Sequence, residues 1–414
     1  MTGRDAALSA LRAWRKDGAW ADSYLRNTDL DSREAGLARQ LCYGVIQNKL
    51  LIDHYIESIS TVPIKKMEPA LPDILRLGVY QIMFMDKIPH SAAVNEAVRQ
   101  ANKKCSKRAA GLCNALLRNV SRLKDTLPKP SQPHVLYSHP KWLYDKFVEV
   151  LGQREAEQLM AANNTPPPIC AQLNCIKSTT SAVKAMLDVD KAEYTENKGA
   201  FEITGAGDPS ALMAFRKGAI YIQDNAARLA VQMAGPKPGM TVIDACAAPG
   251  GKSFAAAIMM NNKGSILSCD VQENKLGQID RAAKRMGIDI ITTRCANASV
   301  FDGALEGRAD LVIADVPCSG LGVIRKKPDI RYKDPEELKN LPGIQFNILK
   351  NVSRYVKPGG RLLYSTCTVL PEENGAVTKR FLMTADFEKE AERTLYPHSD
   401  GCDGFYICVM RRRR

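Results

Sequence analysis

The first third of the chain is patterned for helices. Apolar residues recur at helical spacing at Ala6, Leu8, Leu11 and Trp14, and again between positions 37 and 50. Residues 74–82 are nearly all apolar, which predicts a central helix buried on all sides. These patterns predict an all-α bundle over residues 1–126.

Two further domains are predicted after this bundle. Residues 127–133 hold three prolines, which cannot continue a helix and predict a linker over residues 127–140. Residues 141–218 combine helix and strand patterns and predict a small α+β module. From 219 to 414, short β-rich runs alternate with helices, which predicts an α/β domain with a parallel, doubly wound sheet. The predicted strands cover residues 241–245, 265–270, 288–293, 309–314 and 360–365.

The charge of the chain favours a polyanionic partner. There are 58 Lys and Arg residues against 45 Asp and Glu residues, a net charge of +13. Between positions 102 and 124 no acid interrupts a basic cluster, and its densest part predicts phosphate contacts from Lys103, Lys104, Lys107 and Arg108. The alternative is an ordinary solvated helix face.

The remaining composition argues against several classes of protein. The N-terminus lacks the apolar core of a signal peptide, and no run approaches the roughly 20 apolar residues that span a bilayer, so we expect a cytoplasmic protein without a membrane partner. The 12 cysteines form no C-x-x-C pair and have no histidine at ligand spacing. We therefore expect neither a disulfide framework nor a metal site.

A glycine-rich turn lies between a predicted strand and a predicted helix, in the sequence DACAAPGGKS at residues 244–253. A phosphate loop would need glycine where Cys246 stands, and the G-x-G-x-x-G of dinucleotide folds is absent. An adenosine ligand without pyrophosphate fits better, with its ribose on Asp270 at the end of the next strand. S-adenosylmethionine matches this description, and the turn would contribute Ala247, Ala248, Pro249, Gly250, Gly251 and Lys252. The alternative for Asp270 is a strand-end cap.

Two cysteines end two separate predicted strands downstream of this turn. Cys318 follows Asp315 on one strand, and Cys367 ends the other. Ligands bind at the carboxyl ends of the strands in an open α/β sheet, so both thiols and the carboxylate would enter one crevice. This arrangement predicts covalent chemistry.

These segments resemble those of a known family. DACAAPGGKS, DVPCS at residues 315–319, GVIR at 322–325 and STCTVLPEEN at 365–374 are similar to the Sun/Fmu family of RNA cytosine-C5 methyltransferases. The N-terminal segments ILRLGVY (74–80), IPHSAAVNE (88–96) and CNALLR (113–118) resemble a NusB-like RNA-binding domain. The domain order resembles the group that acts on bacterial small-subunit (16S) ribosomal RNA.

The resemblance implies roles for the site residues. Cys367 would add to carbon 6 of cytosine, and Cys318 would assist proton removal and enzyme release; the reverse assignment is the alternative. Asp315 would bind the ring nitrogen and also lie near the cofactor. Arg325 would contact RNA, and Asn297 stands where the family usually has an acid beside the adenine.

The resemblance also leaves open questions about the substrate and the activity. Gln172 replaces a family arginine that could face RNA. The expected partner is small-subunit ribosomal RNA, and we expect a monomer. A catalytically silent RNA-binding or ribosome-assembly factor with the same fold remains the alternative function, and a P-loop NTPase is a more distant one.

Overall fold

The computed structural model describes residues 1–204 and 207–413. The chain forms two compact units: the first comprises Met1–Asn164 with Lys327–Lys333, and the second comprises Thr165–Lys326 with Asp334–Arg414. Each unit has its own buried apolar core.

The first unit is helical, which confirms the predicted bundle. Its helices begin at capping side chains: the Asp31 carboxylate accepts the backbone N–H groups of Arg33 and Glu34, and the Ser106 hydroxyl accepts that of Ala109. The central helix predicted from residues 74–82 lies in the core. The helices are α1 Gly3–Asp17, α2 Ala21–Arg26, α3 Ser32–Gln47, α4 Lys49–Ile59, α5 Leu71–Phe84, α6 His90–Lys104, α7 Lys107–Leu123, α8 Pro133–Leu136, α9 Lys141–Leu151 and α10 Gln153–Ala162.

The segment predicted as a linker packs within this unit. It contains α8, and its Ser138 and His139 are fully buried. The Ser138 hydroxyl accepts the N–H of Leu50 at 2.9 Å, so it satisfies a donor at the start of α4. Helices α9 and α10 also belong to the helical unit, whereas the sequence placed them in the α+β module.

A segment from far along the chain, Lys327–Lys333, completes the helical unit. The side chain of Arg331 is fully buried and donates to the carbonyl of Gln47 at 2.9 Å, the carbonyl of Ser138 at 3.0 Å and Oδ1 of Asn164 at 3.0 Å. Its neighbour Tyr332 donates to the carbonyl of Ile46. Burial lowers the pKa of Arg331 to about 10, which still leaves the guanidinium charged at neutral pH.

Arg331→Ala should therefore destabilise the helical unit. The change leaves three acceptors without their donor, one of them the buried carbonyl of Ser138, and opens a cavity, so we expect a loss of about 3 kcal/mol in the free energy of unfolding. Urea denaturation followed by circular dichroism measures this loss. Arg33→Ala, at an exposed position, is the matched control and should change stability by less than about 0.5 kcal/mol. Equal stability of the two variants would contradict the prediction.

The second unit begins with the predicted α+β module, which the structure confirms. Its sheet is antiparallel where β1 pairs with β3 and β4, and β3 pairs with β2, in the order β2-β3-β1-β4. Val183, Leu187 and Phe201 lie in its core. The elements are β1 Ile169–Leu173, α11 Thr180–Val189, β2 Glu193–Asn197, β3 Ala200–Thr204, α12 Met213–Arg216 and β4 Ile220–Ile222.

The rest of the second unit is a Rossmann-like domain with a seven-stranded sheet in the order β10-β11-β9-β8-β5-β6-β7. The five predicted strands are parallel, as expected, and two further strands that the sequence analysis did not predict make the sheet mixed, because β11 pairs antiparallel with both β9 and β10. The elements are α13 Asn225–Ala234, β5 Thr241–Asp244, α14 Gly251–Met259, β6 Ser265–Asp270, α15 Glu273–Met286, β7 Ile291–Cys295, β8 Ala309–Asp315, α16 Pro335–Leu338, α17 Leu341–Val352, β9 Val356–Thr366, α18 Gly375–Leu382, β10 Phe387–Leu395, α19 Pro397–Asp400 and β11 Phe405–Arg412.

This topology fixes the place of the site. Strand β5 lies between β6 and β8. The chain continues from β5 to β6 and β7 on one side and then crosses to β8 on the other, and this reversal of strand order opens a crevice at the carboxyl end of β5. The predicted glycine turn and both predicted cysteines follow strands that end there. Within the described ranges, no helix is long and apolar enough to cross a bilayer.

Candidate active site

The glycine turn joins β5 to the start of α14, as predicted. Gly250 has φ +104°, and an added Cβ would lie 2.6 Å from the ring of Phe254, so the position requires glycine. The Gly250 N–H donates to the carbonyl of Ala247 at 2.6 Å, which closes the turn. The first N–H groups of α14, from Gly251 onward, have no intrahelical partner and can receive an anionic group.

Asp270 lies beside this turn at the end of β6. Its Oδ2 accepts the N–H of Ala248 at 3.0 Å, and its Oδ1 accepts the N–H of Gln272 at 2.9 Å. The carboxylate thus caps the strand end, and each oxygen keeps a further lone pair for hydroxyl donors. Asn297 is exposed after β7, and its Oδ1 accepts the N–H of Ser299, which leaves the side-chain NH₂ as a donor.

The two predicted cysteines meet in the crevice. Sγ of Cys318 lies 3.3 Å from Sγ of Cys367, although the residues are 49 positions apart in the chain. Asp315, the last residue of β8 and three positions before Cys318, is held from both sides: Lys252 Nζ lies 2.6 Å from its Oδ2, and the Ser365 hydroxyl donates to its Oδ1 at 2.7 Å. The structure therefore brings Asp315, Cys318, Cys367 and the glycine turn together.

The surroundings of the two thiols favour a thiolate on Cys367. A hydrogen bond from Cys318 lowers the pKa of Cys367, and the positive charge of Lys252 adds to this effect. The pKa of Cys318 is raised well above its ordinary value by that same hydrogen bond, by burial and by the negative charge of Glu373. These directions indicate that Cys367 is the more acidic thiol of the pair.

Several residues that hold the catalytic loops in place were missed by the sequence reasoning. Glu373 is buried, and its Oε2 accepts the N–H of Ser319 and the side chain of Gln345, both at 2.8 Å. The Ser319 hydroxyl donates to that of Thr368 at 2.8 Å. The loops after β8 and β9 are therefore tied together. Glu373 lies within the segment at residues 365–374 that resembles the family, and this resemblance could have identified it from the sequence.

Two glycines allow a close backbone approach beside the cysteines. The N–H of Gly322 donates to the carbonyl of Cys367 at 2.9 Å, and the N–H of Gly404 donates to the carbonyl of Gly322 at 2.8 Å. A Cβ on Gly322 would lie 1.9 Å from the Gly404 carbonyl oxygen, a backbone atom that cannot move alone. This contact sets the path of the chain between Cys318 and Lys326.

Gly322→Ala should disturb the pairing of the two cysteines. The clash forces the loop away from Cys367, so we expect a loss of activity of about 10²-fold, together with weaker folding of the second unit. Gly343→Ala is the matched control, because a Cβ there meets no atom within 4 Å and its helix α17 favours alanine. Methyl transfer and thermal unfolding of both variants measure the effect, and indistinguishable variants would contradict it.

Three positions singled out by the family resemblance have different surroundings from those it implies: Arg325 and Gln172 on the RNA side, and Asp224, which the resemblance places on the cofactor side. The side chain of Arg325 is only 7% exposed and lies 3.8 Å from Asp403, so the structure does not present it to RNA. Gln172 is buried and bonded to Arg228, so this position does not face RNA either. Asp224 caps α13 and binds Lys326 at 2.7 Å.

The predicted basic residues of the helical unit are exposed. Lys103 and Lys104 end α6, and Lys107 and Arg108 begin α7. One acid lies among them: Glu68 accepts the N–H of Ser106 at 3.0 Å. No cluster of potential metal ligands is found in the described part of the chain.

The glycine turn at a helix start, with an acid at the next strand end, defines a Rossmann-like cofactor-binding domain with a two-cysteine site. Residues 231–411 match the family described as 16S rRNA methyltransferase RsmB/F, residues 1–122 match the NusB family, and residues 139–202 match the ferredoxin-like domain of RsmF/B-like methyltransferases. The chain belongs to the RsmB/F family of methyltransferases.

Individual relatives agree with this assignment. The chain is 33% identical to the probable ribosomal RNA small subunit methyltransferase B of Bacillus subtilis, over 99% of this chain and 98% of the relative. It is 29% identical to ribosomal RNA small subunit methyltransferase B of Vibrio cholerae, over 92% and 90% of the two chains. The crystal structure of PH0851 superimposes with a TM-score of 0.81 at 27% identity, over 99% of this chain and 98% of that one.

Proposed function

We propose that the protein transfers a methyl group from S-adenosylmethionine to carbon 5 of a cytosine in small-subunit (16S) ribosomal RNA. The observation that carries the proposal is the pair of thiols 3.3 Å apart, beside a carboxylate fixed by Lys252 and Ser365. The names of the relatives support RNA of the small ribosomal subunit as the substrate.

The cofactor fits the residues on the other side of the crevice. Free N–H groups at the start of α14 suit the carboxylate of its methionine part, Asp270 suits the two ribose hydroxyls, and the Asn297 NH₂ suits an adenine ring nitrogen. The turn from Ala247 to Lys252 would line the methionine part. When bound, S-adenosylmethionine supplies an electrophilic methyl group.

The cysteines make the cytosine reactive. Carbon 5 is too weak a nucleophile by itself, so the Cys367 thiolate adds to carbon 6 and moves electron density onto carbon 5. Asp315 accepts a hydrogen bond from the protonated ring nitrogen and so holds that proton in place, and the proton offsets the negative charge that develops on the pyrimidine as the thiolate adds. After carbon 5 has been methylated, its proton leaves with the help of Cys318, the bond from carbon 6 to Cys367 breaks, and the aromatic ring is restored.

RNA must present this cytosine in an accessible form. A base stacked in a helix cannot reach a crevice, so the target lies in a loop or is flipped out. Exposed Lys103, Lys104, Lys107 and Arg108 can bind phosphates without choosing the base, while the crevice selects cytosine. Arg325, being buried, is not part of this proposed RNA surface.

Label transfer from S-adenosylmethionine to unmodified 16S ribosomal RNA tests the proposal. Digestion to nucleosides should yield labelled 5-methylcytidine as the product. Label on another nucleoside, or on carbon 5 of cytosine in other RNAs only, would overturn the assigned reaction or substrate. Cofactor binding without transfer to any ribosomal RNA would favour the silent assembly factor.

A further inference from the structure

A basic cavity lies at the opposite end of the sheet from the cysteines. Its volume is about 340 Å³, and it is lined by the first residues of β8 and β9, the last part of β11 and the chain before β5. Among its lining residues, Asp310 is the one acid. Four cationic side chains also line it: Lys237, Lys357, Arg361 and Arg411. Such a set points to an anionic ligand.

The acids near this cavity orient the cations without neutralising all of them. Asp310 holds Lys357 at 2.9 Å, and Glu390 binds both Arg361 and Arg411. Counting these two acids against the four cations leaves two positive charges. The Lys237 side chain is exposed and makes no ion pair with any residue in the described ranges.

The paired cations also keep donors for a ligand. The Nε of Arg361 donates to Glu390 at 2.8 Å, and its Nη1 donates to the carbonyl of Ala234 at 3.2 Å. These two bonds leave other N–H groups of the guanidinium available to a ligand. The Nε of Arg411 donates to Glu390, so this bond leaves its two NH₂ groups available to a ligand. Fixed guanidinium groups with spare donors suit phosphate oxygens.

The position of the cavity indicates what carries the phosphates. Asp310, the second residue of β8, lines the cavity, and Asp315 is the last residue of the same strand. Five strand steps of about 3.3 Å therefore place the cavity roughly 16 Å from Asp315 along the strand. A single nucleotide in the crevice cannot reach that far. A polymer whose backbone passes around the sheet can do so.

We propose that the cavity formed by Lys237, Lys357, Arg361 and Arg411 binds backbone phosphates of the RNA substrate, at a site separate from the cysteines. The inference rests on the proposed function for the identity of the ligand. The site would fix the orientation of the RNA without contributing to the selection of cytosine.

The test compares RNA affinity across a salt titration for the full chain and its Lys237→Glu variant. Loss of one phosphate contact should weaken binding severalfold at moderate salt and reduce the slope of log affinity against log salt by about 0.7–0.9. Lys237→Arg should retain the wild-type slope because it keeps the charge. Lys284→Glu makes the same change at an exposed position of α15 in the same unit and should leave the slope nearly unchanged.

Three results would overturn the inference: an unchanged slope in Lys237→Glu, an equal decrease in Lys284→Glu, or no RNA binding by the wild type. Thermal stabilisation by inorganic phosphate that requires Lys237, with RNA affinity unaffected by Lys237→Glu, would assign the cavity to a free anion instead. Methyl transfer is measured on the same samples. Wild-type protein that binds RNA with the expected slopes but transfers no methyl group would refute the proposed function and leave this site supported.

Discussion

Cys367→Ala should abolish methyl transfer, with a loss of at least about 10³-fold in turnover. The variant removes the thiolate that adds to carbon 6, and without that bond carbon 5 does not become nucleophilic. Cofactor binding should be retained, because Asp270 and the glycine turn are untouched. Single-turnover label transfer, with cofactor binding measured by calorimetry on the same sample, separates the two effects.

Cys318→Ala is the matched variant, since it removes the same kind of atom, a sulfur that lies 3.3 Å from that of Cys367. If Cys318 assists release, this variant should slow turnover and accumulate a protein–RNA adduct that survives denaturing electrophoresis. Cys367→Ala should form no such adduct. An adduct in Cys367→Ala and none in Cys318→Ala would establish the reverse roles.

The sequence predicted the centre of the site because strand ends are visible as apolar runs followed by polar residues. Asp270, Asp315, Cys318 and Cys367 each follow such a run, and parallel strands place their carboxyl ends at one edge. This shared edge was enough to predict that the four side chains would lie in one crevice. The 3.3 Å approach of the sulfurs could not be predicted, because it depends on Gly322 packing on Gly404 and on the bonds made by Glu373.

The features that the sequence analysis missed have identifiable physical causes. Strand β10 carries many charged residues and has an exposed face, so it lacks the apolar run that identifies the parallel strands. Nothing in the sequence around Arg331 indicated that three acceptors in the helical unit would bind its buried side chain. Likewise, Arg325 is directed toward Asp403, which lies 78 positions later. Patterns along the chain do not reveal such polar partners.

Lys252→Met should reduce methyl transfer about 10²-fold at neutral pH and move the acid limb of the pH profile upward. The Lys252 cation lowers the pKa of Cys367, and Asp315 raises it. Removing the cation also leaves the carboxylate 2.6 Å away without its partner, so both changes disfavour the thiolate. The profile of kcat/KM against pH measures the shift, since activity falls as pH drops below the pKa of the nucleophile.

Asp315→Asn should move the same limb in the opposite direction. Loss of the negative charge favours the Cys367 thiolate and lowers its pKa, so activity should persist to lower pH. The plateau should nevertheless fall by about 10²–10⁴-fold, because the ring nitrogen loses its charged partner. A decrease in the plateau without opposite shifts in the two variants would mean that Lys252 and Asp315 only position the substrate, and that the charge of Lys252 does not activate Cys367.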